Sequence, residues 1–155
     1  MFVYLVQHAE SKSEQEDPAR SLTDKGMHDV RKVASFASQC NLKIHMIFHS
    51  SKLRAKQTAE VLSEHLDPAK SVSEVDGLAP LDDPAIWAQR IKDIPEDVIL
   101  VGHLPHLDKL ASLLLCGDKD KNVISFKMAG IVCLERIDAE SYALQWMVTP
   151  EIIVG

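Results

Sequence analysis

Apolar positions along this chain follow two rhythms. Short unbroken runs stop at a polar residue or a glycine: residues 2–8 (FVYLVQH), 44–49 (IHMIFH) and 98–102 (VILVG), the last leading straight into His103. A run without polar alternation suits a strand buried on both faces, as in a parallel sheet. Between these runs the apolar residues recur at helical spacing. Thr23 is placed to cap a helix whose core face carries Val30, Val33, Ala34, Ala37 and Cys40 and which closes at Asn41. Ser50 or Ser51 is placed to cap a helix over 52–66 with Ala55, Ala59, Leu62 and Leu66 in its stripe. Residues 71–75 read as a third strand. A loop with Gly77, Pro80 and Pro84 leads to a helix over 85–93 whose Ile86, Trp87 and Ile91 need cover. Pro105 suits the first turn of a helix running to Cys116, with Leu107, Leu110, Ala111 and Leu114 inward. The tail changes character: 123–128, 131–137 and 142–148 are strand-like runs with no helix between them, and 138–141 reads as a hairpin turn. The pattern predicts a single α/β domain over 1–155, a mostly parallel sheet flanked by helices with antiparallel C-terminal strands.

Composition narrows the functions such a fold could serve. The chain has 155 residues, 46% hydrophobic and 26% charged, as expected of a soluble globular protein. Its net charge of −6 disfavours a nucleic-acid partner but leaves room for a local phosphate site. Cys40, Cys116 and Cys133 are widely spaced and flanked by apolar residues, so they read as reduced, buried packing residues of a cytoplasmic protein. No run reaches membrane-spanning length, and the N-terminal run is too short for a signal peptide.

Two buried strands each deliver a histidine, His8 and His103, to their carboxyl ends, where ligands of open α/β sheets bind. Arg54 falls in the first turn of the helix after the second strand. A cation there is repelled by the helix dipole, so its placement points to an anion in front of it. Histidines, arginine and helix N-termini on one rim describe a phosphate site. A neutral imidazole can take up a phosphoryl group, while arginine forks and a second, protonated histidine hold its oxygens. His103-x-x-His106 has no cysteine or carboxylate nearby to complete a metal site, so no metal or cofactor is expected and His106 reads as a polar residue of a first helical turn.

These residues sit in motifs that resemble those of a known family. VQHAE at 6–10, RSLTDKG at 20–26, SSKLRAKQTAE at 50–60 and LVGHLPH at 100–106 are similar in order and spacing to the motifs of the histidine phosphatase superfamily, whose fold is phosphoglycerate mutase-like. The short chain and its WMVTPE ending resemble the SixA-type phosphohistidine phosphatase branch. The resemblance implies a metal-independent hydrolase with His8 as the phosphorylated nucleophile and Arg54 and His103 as ligands of the phosphoryl oxygens. It further implies Arg20 as an added cation and Asp17 at the pocket border. A phosphohistidine-bearing signalling or phosphotransfer protein would be the substrate, with phosphate or a similar oxyanion in the pocket.

Two departures matter. Gln7 stands where the family has an arginine beside the nucleophile; its amide can donate to a phosphoryl oxygen but carries no charge. In EVDGLAPLDD (74–83), Gly77 occupies the place of the glutamate that protonates an alkoxide leaving group in larger members, with Asp76 adjacent. An alkoxide leaves badly without a proton. A labile P–N bond needs less help, so phosphohistidine is favoured over sugar phosphates, phosphoserine or a mutase reaction. The alternative is a phosphoprotein-binding pseudo-phosphatase whose turnover is weakened or lost through Gln7.

Overall fold

The computed structural model describes residues 1–154. Ten main elements alternate along the chain: β1 (Phe2–Gln7), α1 (Asp24–Ser38), β2 (Met46–His49), α2 (Leu53–Leu66), β3 (Ser71–Glu74), α3 (Pro84–Lys92), β4 (Val98–Gly102), α4 (His106–Cys116), β5 (Ile131–Arg136) and β6 (Tyr142–Val148). They build one six-stranded sheet in the order β3-β2-β4-β1-β5-β6. The pairs from β3 to β1 are parallel, whereas β5 and β6 add an antiparallel edge. This is the expected fold class. Among the described residues no helix is long and apolar enough to cross a membrane.

Strand alternation divides the core. Tyr4, Val6, Ile99, Val101 and Ile47 pack with the apolar stripes of α1 and α2. Val3, Leu5, Val98 and Leu100 pack with Trp87 and Ile91 of α3 and with Leu107, Leu110 and Ala111 of α4. Continued past the strand ends, the same parity puts His8 and His103 on the α1/α2 side. Gln7 has the parity of Val3 and Leu5 and is the last residue of the strand, at the rim itself. The register sets Gln7 beside Gly102 and His49 beside Val101, so three parallel strands finish at one rim.

Several local expectations are corrected. Residues 123–128 form no strand: Val123 and Met128 are exposed and only Phe126 is buried. The one place beside β1 is taken by β5, and the preceding stretch instead caps the end of β1, where the Ala129 amide donates to the Gln7 carbonyl at 2.9 Å. Cys133 is buried, but Cys40 and Cys116 are exposed. α1 stops at Ser38, before its stripe reaches Cys40, and Cys116 is the last residue of α4. Ile86 stays exposed while Trp87 and Ile91 are buried. α2 is capped by neither serine; Lys52 holds the N-cap position without a side-chain bond.

The loop between β1 and α1 is tied back on itself. Ser11 bridges Leu22, and the Thr23 amide donates to the Glu10 carbonyl at 3.0 Å while the Thr23 hydroxyl caps α1 at the Gly26 amide, 2.9 Å away. Gly26 lies under this crossing: an added Cβ would fall far inside van der Waals contact distance of the Glu10 carbonyl oxygen. Backbone cannot yield as a flexible side chain can. Gly26→Ala is therefore expected to destabilise the protein by about 1–3 kcal/mol despite alanine's better helix propensity, read as a lowered urea midpoint at unchanged m-value.

Candidate active site

The site is assembled from the ends of β1, β2 and β4 and the start of α2. His8 follows β1, and its backbone amide donates to the Gly102 carbonyl at 3.0 Å, fastening it to the end of β4. Its Nδ1 lies 2.7 Å from the Ala9 carbonyl oxygen. A carbonyl only accepts, so Nδ1 bears the proton and Nε2 presents a lone pair. Burial, and then the positive charges of Arg54 and Arg20, push the His8 pKa below its ordinary value, against the opposing effect of the Ala9 bond. The ring is kept neutral and nucleophilic under conditions in which a free histidine begins to protonate.

The Ala9 peptide that sets this tautomer is itself held. Thr58, fully buried on α2, accepts from the Ala9 amide at 3.0 Å and donates to the Arg54 carbonyl at 2.8 Å. Gln57 accepts from the Leu22 amide at 2.8 Å and pins the far end of the same loop. The QT pair in LRAKQTAE thus carries a structural duty that its sequence pattern did not reveal.

Arg54 stands in the first turn of α2, whose opening has no side-chain cap. Its Nε is buried without a hydrogen-bond partner in the protein. Burial first, and the neighbouring Arg20 guanidinium second, lower its pKa. Arg20 takes a left-handed backbone conformation at φ +53°. Its guanidinium is steered by Nε to the Lys12 carbonyl at 3.0 Å and by a terminal nitrogen to the Ser11 hydroxyl at 3.2 Å. Two guanidiniums close enough to perturb each other, beside an imidazole, form a strongly anion-attracting corner.

His103 follows β4 and is 2% exposed. Its ring centroid is 5.1 Å from that of His8, at 52° between planes. Nε2 lies 2.6 Å from the Ser50 hydroxyl, and Nδ1 has no partner. Burial, followed by competition with His8 for a proton and by the charges of Arg54 and Lys52, drives its pKa down to about 3. Strand burial and cation clustering act in the same direction here. The protein's own groups thus disfavour the protonated second histidine that the sequence suggests, while an oxyanion beside the ring acts in the opposite sense.

The family model for the histidine phosphatase superfamily (branch 1) matches residues 3–97. The chain belongs to that superfamily. The chain is 34% identical to an uncharacterized protein of Picosynechococcus over 142 residues, covering 86% of this chain and 84% of the relative. It is 22% identical to the phosphohistidine phosphatase SixA of Escherichia coli K12 over 155 residues, covering 97% and 94%. Its fold superimposes on the protein histidine phosphatase SixA complexed with tungstate with a TM-score of 0.87 at 22% identity, covering 97% of both chains.

The remaining sequence-predicted groups sort themselves by their bonds. Asp17 turns into its own loop, accepting from the Ser21 amide at 3.1 Å, the Ser21 hydroxyl at 2.5 Å and the Ala19 amide at 3.0 Å. It shapes the turn that presents Arg20. Gln7 is half-buried at the end of β1, directly before His8. Asp76, next to Gly77, is taken by Arg90 in a two-pronged pair at 2.9 and 3.2 Å, with its side chain 82% exposed. Both carboxyls have lowered pKa values, Asp17 through the Ser21 hydroxyl first and Asp76 through Arg90 first. His106 is fully buried at the first position of α4 with neither ring nitrogen bonded, and burial lowers its pKa. Among the described residues no group of three or more histidine, cysteine, aspartate or glutamate side chains converges as a metal site would need.

Proposed function

We propose that this histidine phosphatase hydrolyses phosphohistidine on a protein partner, through a covalent phosphoryl group on His8. The observation that carries this is the convergence of a tautomer-fixed imidazole with two guanidiniums, one having a buried Nε that no protein group satisfies. In the first step His8 Nε2 attacks phosphorus in line, the N–P bond to His8 forms, and the N–P bond to the substrate imidazole breaks; that imidazole departs with a proton from water. In the second step water attacks phosphorus, phosphate leaves, and His8 recovers its lone pair. Arg54, Arg20 and His103 hold the equatorial oxygens, where transition-state charge resides, and the Gln7 amide donates to them from the end of β1. The guanidiniums supply the charge that a metal supplies elsewhere, so activity should survive chelators.

The leaving group is where the site is lean. The two carboxyls that the sequence offers as general acids, Asp76 and Asp17, are tied up in hydrogen bonds that keep them ionised. An ionised carboxylate cannot protonate an alkoxide. This supports a P–N over a P–O substrate, in a phosphotransfer or signalling protein. The three free cysteines, two of them exposed, fit a reducing cytoplasm.

Gln7 favours a second reading, a phosphoprotein-binding module with lost turnover, since one preorganised charged donor is worth about 10²–10³ in rate. One assay decides between the two. Native and Gln7→Arg proteins are given a phosphohistidine peptide and a phosphoserine peptide. The expected result is slow native hydrolysis of the first, little of the second, and a gain in kcat with arginine. Equal kcat/KM on both peptides would overturn the P–N preference. A silent native protein awakened by arginine would establish the binding module.

A further inference from the structure

Ser50 opens the SSKLRAKQTAE motif with no role in the site assigned to it, yet it is in direct contact with His103. It lies just beyond β2 and is 1% exposed. Its backbone amide donates to the Val101 carbonyl at 3.3 Å, locking it against β4. The hydroxyl oxygen accepts from the Lys52 amide at 3.3 Å and sits 2.6 Å from His103 Nε2.

A neutral imidazole has one N–H, and its position decides what the ring can do. With the proton on Nε2, the ring would donate to Ser50 and turn the Nδ1 lone pair toward any phosphoryl oxygen, an acceptor facing an acceptor. With the proton on Nδ1, the ring donates to that oxygen and Nε2 accepts from the serine. The second arrangement also suits the serine, which takes the Lys52 N–H on its oxygen and gives its own hydrogen to Nε2. Nδ1 is the one ring nitrogen left unbonded, and it is buried. A buried donor without a protein partner is costly unless a ligand completes it.

We infer that Ser50 is a positioning residue that holds His103 in the Nδ1–H form, making it a neutral hydrogen-bond donor to the phosphoryl group. The inference rests on the phosphoryl site proposed above but not on its substrate or turnover. It explains how a histidine whose charged form burial and nearby cations disfavour can still bind an oxyanion. Substrate oxygens then meet two charged forks and a neutral N–H rather than three cations. Cation crowding is relieved without loss of a donor.

The test begins on the native protein, where nitrogen-15 NMR of the His103 ring reads the tautomer directly, without and with inorganic phosphate. Nδ1–H in both states is expected. Nε2–H in the native protein would overturn the inference whether or not the protein turns over. In Ser50→Ala the ring should shift toward the Nε2–H form that free imidazole favours. Phosphate affinity should weaken, and kcat on a phosphohistidine peptide should fall by roughly 10- to 100-fold, as for other partners that orient a functional histidine. The His103→Ala background separates positioning from a structural role. If Ser50 acts through His103, adding Ser50→Ala to His103→Ala costs nothing further. An equal additional loss in the double variant, or an unaltered tautomer in the single one, would overturn the assignment.

Discussion

His8→Ala is expected to abolish hydrolysis, with kcat reduced by at least about 10³-fold, because loss of a covalent nucleophile leaves only binding and electrostatic contributions. The argument is geometric. Nε2 of His8 is freed by the Ala9 carbonyl on the other ring nitrogen, and the Ala9 peptide is held in turn by Thr58. Alanine removes the attacking atom and leaves this backbone support in place, since the His8 amide still reaches Gly102. Thermal unfolding should therefore move by no more than about 2–4 °C, the shift that 1 kcal/mol gives in a domain of this size. Native protein incubated with a labelled phosphoramidate should acquire an acid-labile, base-stable label, and His8→Ala none. Retained turnover, or a label surviving in the variant, would move the nucleophile elsewhere.

Arg54→Ala is the second large loss, about 10²–10³-fold in kcat/KM, the usual consequence of removing one preorganised donor from a transition-state charge. Arg54→Lys should recover little of it, because an ammonium cannot reproduce the planar fork. This variant also carries a pH signature whose sign follows from the site. Burial lowers the His8 pKa first, and the Arg54 charge lowers it further. With the guanidinium gone, protonated His8 is less disfavoured and its pKa rises toward the ordinary value. The acid limb of kcat/KM, where protonation silences the nucleophile, must then move to higher pH. Measuring the profile of both proteins checks this; an acid limb that stays or moves lower would remove Arg54 from the vicinity of the nucleophile.

Both variants act on residues that were visible before the fold was known. FVYLVQH and VILVGH are unbroken apolar runs, and only a doubly covered parallel strand can bury such runs on both faces. Once they are strands of one sheet, chain direction alone carries His8 and His103 to the same rim. Arg54 was legible for a related reason: a cation in the first turn of a helix opposes the dipole, and the helix begins directly after β2. Arg20 was different. It lies in a charged, irregular stretch, and only the family resemblance marked it before its left-handed turn and its bonds to Ser11 and Lys12 came into view.

What the amino-acid order determined by itself is thus what depends on period and direction: the sheet, the helices over it, the core stripes and the histidines at strand ends. Other features depend on which surfaces meet, and only the tertiary structure decided them. The 123–128 run has the composition of a strand, yet β5 already holds the free edge of β1. Cys40 keeps helical spacing, but α1 ends before reaching it. The surroundings that disfavour a charged His103 are burial, the His8 ring and cations at the start of α2, none of them its neighbours in sequence. Ser50 looked like a helix cap because serine before a helix usually is one. Its hydroxyl instead faces a histidine 53 positions away, and a hydrogen bond of that span exists only where the packing of two strands creates it.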